Sequence, residues 1–137
     1  MEYATERMED LMGRYDEYIT SCKYIRMPEL YKTIAEMPSR RFWVSDIRAA
    51  NVVSSIMRGD DVLKTMHPLR REMYEEIYRR VLELRREKTN LGISESCAIV
   101  VKQQAPKFYL TPKTVKVMVC KARKKWFEEK MRKLRLL

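Results

Sequence analysis

The sequence predicts an all-α protein of about six helices, and three observations lead there. The 137 residues include only 3 Gly and 5 Pro, too few for the many turns of a sandwich or barrel. Apolar residues make up 45% of the chain and recur at three- and four-residue steps. Helix-start signals such as Ser45, His67-Pro68 and Thr111-Pro112 stand just ahead of those periodic runs.

The elements follow in order. A first helix is expected over about Tyr3–Ile25, where Met8, Leu11, Met12, Tyr15, Tyr18, Ile19 and Cys22 share one face. Pro28 then opens a short helix, "PELYKTIAEM". "PSRRFWVSD" reads as a connector. Its Phe42 and Trp43 are candidate core or inter-subunit contacts, and Arg40 and Arg41 are a surface pair or a second phosphate contact. Ser45 caps a third helix, Asp46 suits its first turn, and Gly59 suits its C-terminal stop. Ile47, Ala50, Val52 or Val53, Ile56 and Met57 form its apolar side. "DDVLKTM" suggests a short helical turn. His67-Pro68 opens a long helix to about Glu87, with Met73, Ile77, Val81 and Leu84 inward. "KTNLGI" breaks it, and Ser94 is the expected cap of a helix over 94–104. After the loop "APKFYL", Thr111 caps and Pro112 begins a final helix over 111–132. "CAIVV" has strand propensity but no strand to pair with.

Charge narrows the partners. The net charge is +10; residues 102–137 hold 12 Lys/Arg and 2 Glu, while residues 1–101 hold 17 of each sign. A positive field gathered in one element attracts a polyanion there. The division expected is a helical attachment over 1–38 and a DNA-binding domain over 39–137. In that domain the last three helices, over 68–87, 94–104 and 111–132, form a helix-turn-helix-like trihelical unit. Projected at 100° per residue, Val115, Met118, Val119, Ala122 and Trp126 fall within an arc of about 100°, which would pack inward with Trp126 as a core anchor. Lys113, Lys116, Val117, Cys120, Lys121 and Lys124 lie opposite. Lys113, Thr114, Lys116, Val117 and Cys120, in the early turns, are the candidates for base edges. Lys121, Arg123, Lys124 and Lys125, further along, are the candidates for phosphates.

"TPKTVKVMVCKARKKW" resembles the second helix of the helix-turn-helix in region 4 of bacterial sigma factors. The likeness lies in Thr114-Val115-Lys116 and in Ala122-Arg123-Lys124-Lys125 before a large apolar residue. It implies that Lys113, Thr114, Lys116 and Lys121 face DNA. The turn "QAPKFYLTP" departs from the family in length and in lacking its glycine. More broadly the chain looks like the small basic helix-turn-helix proteins of phages and mobile elements. The rival reading is a structural or adaptor protein, for instance of a phage particle, whose basic helix contacts protein or nucleic acid without reading sequence.

Other classes find little support. His67 is the only histidine, and it suits a helix start better than catalysis. Glu72, Glu75 and Glu76 beside Arg79 and Arg80 read as helix ion pairs. No phosphate-cradling glycine loop or metal-ligand spacing occurs, so no enzyme, metal, cofactor or small-molecule substrate is expected. Cys22, Cys97 and Cys120 read as reduced thiols. The polar, acidic "MEYATERMED" is unlike a secretory signal, and no apolar run is long enough for a membrane span. A cytoplasmic protein, or one in the host cell interior if phage-encoded, is expected. Met131, Leu134, Leu136 and Leu137 prolong the apolar character of the last helix, but a helix docked by its apolar side is not free to enter lipid. The apolar stripe of residues 1–38 either covers the domain or joins a second copy, and a homo-oligomer would suit DNA half-sites.

Overall fold

The computed structural model describes residues 2–135, and they form an all-helical chain. The helices are α1 (Glu2–Ser21), α2 (Met27–Glu36), α3 (Asp46–Met57), α4 (Pro68–Glu87), α5 (Ile93–Val100) and α6 (Pro112–Arg135), with a 3-10 turn at Val62–Thr65. Leu136 and Leu137 lie outside the described residues. Two compact units are present: residues 1–37 with 110–137, and residues 38–109.

The second unit holds α3, α4, α5 and the 3-10 turn. Its core joins Phe42, Val44, Ala49, Val52 and Val53 to Tyr74, Ile77 and Val81 of α4 and Cys97 and Val100 of α5. Ser45 Oγ accepts from the Arg48 N–H at 3.1 Å, and His67 Nδ1 accepts from the Leu69 N–H at 3.2 Å, so both expected starts are made by side chains. Gly59 takes φ +84° after α3, a conformation that strains other residues. On α3 the inward side is Ala49, Val52 and Val53, whereas Ile47 is exposed. Ser94 is not the cap of α5: the helix starts one residue earlier from Gly92, and the Ser96 hydroxyl donates to the Gly92 carbonyl at 2.8 Å. The helix also stops at Val100, short of the expected 104.

The two connectors close this unit. Ser39 and Ala105 exchange backbone hydrogen bonds at 3.1 Å each way, the only β-bridge among the described residues. The Phe42 N–H donates to the Val101 carbonyl at 3.0 Å, and the Ser39 hydroxyl reaches the Arg41 carbonyl at 2.8 Å. Phe108 is buried, and Tyr109 stacks on Phe42 at 6.2 Å while holding φ +59°. Burial, with Glu76 and Glu72 nearby, pushes the Tyr109 hydroxyl up to about 12. Burial likewise pushes the Cys97 thiol up to about 11, which leaves it a small core residue. On α4, Arg79 and Arg80 pair with Glu76, and Arg79 also pairs with Glu83. Hydrogen bonding from Arg79 holds the Glu76 carboxyl below its ordinary range. Glu72 instead meets Lys107 at 2.6 Å.

The first unit is built from α1, α2 and α6, and each of the three packs on the other two. Leu11 of α1, Leu30, Tyr31, Ile34 and Ala35 of α2, and Val115, Met118 and Val119 of α6 are its buried apolar residues. α1 ends at Ser21, and Tyr24 and Ile25 are exposed.

The expected grouping is therefore corrected. α6 takes its packing partners from α1 and α2, while α4 and α5 pack with each other and with α3. The compact units divide at 37/38 and at 109/110, and residues 110–137 group with the leading segment rather than with the helices before them. The physical reason is that an apolar stripe states which side of a helix must be covered, not which helix covers it.

Candidate nucleic-acid interface

The candidate interface is α6, and its start is fixed by threonines. Thr111 Oγ1 accepts from the Thr114 N–H at 3.1 Å, its carbonyl accepts from the Val115 N–H at 3.0 Å, and the two hydroxyls lie 2.9 Å apart. Thr111→Ala should cost about 1 kcal/mol through loss of this cap, read as a lowered thermal midpoint. A melt unchanged by the substitution would show that Pro112 and packing set the helix start alone.

From Pro112 to Ala122 one side is docked: Val115, Met118 and Val119 are buried and Ala122 is half-buried. From Arg123 to Arg135 every side chain is exposed. Lys113, Thr114, Lys116, Val117, Cys120, Lys121, Arg123, Lys124 and Lys125 are all exposed. They are not equivalent. By helical projection Lys113, Lys116, Val117, Cys120 and Lys124 look away from the Val115-Met118-Val119 stripe, and Thr114, Lys121 and Lys125 lie along one flank. The Thr114 hydroxyl is engaged by the cap. Arg123 lies on the opposite flank, and burial together with the neighbouring Cys120 holds the Tyr31 hydroxyl above its ordinary pKa, against the opposing charge of Arg123.

Trp126 is a correction. It is 57% exposed, and the Lys130 ammonium sits 4.3 Å from its ring centroid. It lies on the intended arc, but α6 outlasts its cover. The 24 residues of α6 span about 36 Å, whereas the 10 of α2 span about 15 Å. Phe127 at 60% and Leu134 at 60% are exposed as well. Beside α1 this distal half leaves an open groove of about 850 Å³, walled by Met12 and Tyr15 on one side and Arg123, Lys124, Trp126 and Phe127 on the other.

The charge distribution also sharpens. Residues 110–137 carry ten Lys/Arg and two Glu, or +8, and residues 1–37 carry five against eight, or −3. Residues 38–109 carry fourteen against nine, or +5, an excess that the acidic leading segment hides when residues 1–101 are summed. No group of three or more His, Cys, Asp or Glu among the described residues is placed to hold a metal ion. No described helix is long and apolar enough to cross a membrane. No protein-family model matches this chain, and neither a curated protein nor a solved structure is significantly similar to it.

Proposed function

We propose that this chain is a non-enzymatic DNA-binding protein that lays the exposed face of α6 along a duplex. One observation carries the reading. The nine candidate side chains are exposed on a helix whose Val115, Met118 and Val119 are buried, so the helix is held by one side and offers the other. Ten cations against two carboxylates over residues 110–137 supply the attraction to phosphates. Lys113, Lys116, Val117 and Cys120 face base edges; Lys121, Arg123, Lys124 and Lys125 meet phosphates; Thr114 positions the helix start. The process is transcription control or the handling of phage or mobile-element DNA inside the cell, with no cofactor. A homo-oligomer would form through residues 1–38, where Met8, Met12, Tyr15 and Ile19 are only half-buried beside the fully buried Leu11. The structural or adaptor reading stands second, favoured by the exposure of Trp126, Phe127 and Leu134.

Selection from random duplex DNA, followed by titration over salt, tests the reading. With about four to six phosphate contacts, log K should fall against log salt with a slope of about −4 to −5. Lys116→Ala should change the preferred sequence, by about 1–3 kcal/mol for a bidentate base contact, and Val117→Ala should shift the preference too. A flat salt dependence removes the nucleic-acid reading. A steep slope with no preferred sequence in the wild type leaves a basic anchor and puts the adaptor reading first.

A further inference from the structure

The distal half of α6 carries aromatic rings that the fold does not use. Trp126 and Phe127 are more than half exposed, and both wall the groove beside α1, where Tyr15 and Met12 face them. Arg123 and Lys124 share that wall, and Lys130 lies over Trp126. A second, smaller groove of about 410 Å³ opens on the other flank of the same tryptophan, with Lys121 and Lys125 balanced there by Glu9 and Glu129. Aromatic faces set among cations are what an unpaired strand requires. Each base offers a π face whatever its sequence, and the phosphate that follows needs a positive group nearby. A docked Trp126 would be closed to any base, and its ring is open.

We propose that the groove between α1 and α6 holds unpaired bases, stacked on Trp126 and Phe127 with their phosphates on Arg123, Lys124 and Lys130. The inference rests on the nucleic-acid reading of α6 and names the part of the ligand that its distal half takes: single-stranded nucleic acid adjoining a duplex. Charge decides between this occupant and an apolar peptide. The helix wall is strongly cationic, and Asp16 is the lone carboxylate among the residues walling the larger groove. It supplies an acceptor for a base amino group. By helical projection Lys116 lies on the same side of α6 as Cys120, Arg123 and Phe127, so a strand in the groove can continue toward it.

Fluorescence anisotropy tests this with three labelled DNAs: a single-stranded thymidine oligomer of about 12 nucleotides, a blunt duplex, and the same duplex with that oligomer as a tail. The full chain should bind the tailed duplex more tightly than the blunt one. Trp126→Ala and Phe127→Ala should each weaken the oligomer and the tailed duplex by roughly tenfold and leave the blunt duplex within about twofold. Trp126→Phe, which keeps a stacking face, should recover most of the loss. Blunt-duplex binding without oligomer binding overturns this inference and leaves the duplex reading standing. Loss of both overturns both. Alanine variants that bind the oligomer like the wild type also overturn it. So does an acidic amphipathic helical peptide that binds through Trp126 while the oligomer does not, and the groove then belongs to a protein partner.

Discussion

Leu11→Ala is expected to destabilise the chain by about 2–5 kcal/mol, a large share of the 5–15 kcal/mol typical of a domain. Leu11 is fully buried in the middle of α1, where that helix packs on α2 and α6. Truncating it opens a cavity in the apolar interior of that three-helix unit, where Leu30, Ile34, Val115 and Val119 are also fully buried. The consequence reaches the interface, because α6 is held to the fold by that cluster. Deleting residues 1–26 should therefore not leave the whole remainder folded. It should release α2 and α6 while α3, α4 and α5 stay folded. Amide exchange separates the two halves: Ile34 and Val119 should lose protection, and Ile77 and Val81 should keep it. Trp126→Ala, at a half-exposed site, should shift stability by about 1 kcal/mol or less. A cost equal to that of Leu11→Ala would return Trp126 to the core and close the groove.

The helices were legible in the sequence because their signals are local. Ser45, His67-Pro68 and Thr111-Pro112 start helices through hydrogen bonds to backbone two or three residues away, and a single sequence shows that spacing. Packing partners are set by contacts far along the chain. The stripe Val115-Met118-Val119 would serve equally well against α4 and α5 or against α1 and α2. What separates the cases lies in the connectors, where Ser39 meets Ala105 and Phe42 meets Tyr109 across more than sixty residues. Each connector did carry a sign: bulky aromatics, Phe42 and Trp43 in one and Phe108 and Tyr109 in the other, which a solvated loop would not need. Trp126 was misplaced for a simpler reason. Angular position says which way a side chain points, and only the length of the neighbouring helix says whether anything is there to meet it. The projection also places six of the nine candidate residues of α6 opposite the stripe, namely Lys113, Lys116, Val117, Cys120, Lys121 and Lys124, and that needs only the helix to be docked by its Val115 side.

Replacing Lys121, Arg123, Lys124 and Lys125 together by alanine should reduce duplex affinity by about four orders of magnitude at about 50 mM salt. If log K falls by about 0.9 log units per log unit of salt for each neutralised phosphate, one contact contributes roughly tenfold at that salt. The slope itself should fall from about −5 to about −1. All four side chains are exposed and alanine favours helix, so the melt should hold. The control is an equal loss of charge elsewhere. Residues 38–109 carry +5, and Arg48, Arg70, Arg86 and Lys88 are exposed there. Changing those four to alanine lowers the net charge by the same amount and should reduce affinity by less than about tenfold, because none of them belongs to the face of α6 that takes the phosphates. Titration of both variants over salt, beside their melts, checks this. Equal losses from the two sets would mean that the duplex answers to net charge and not to α6, and the face of that helix would then have no special claim on DNA.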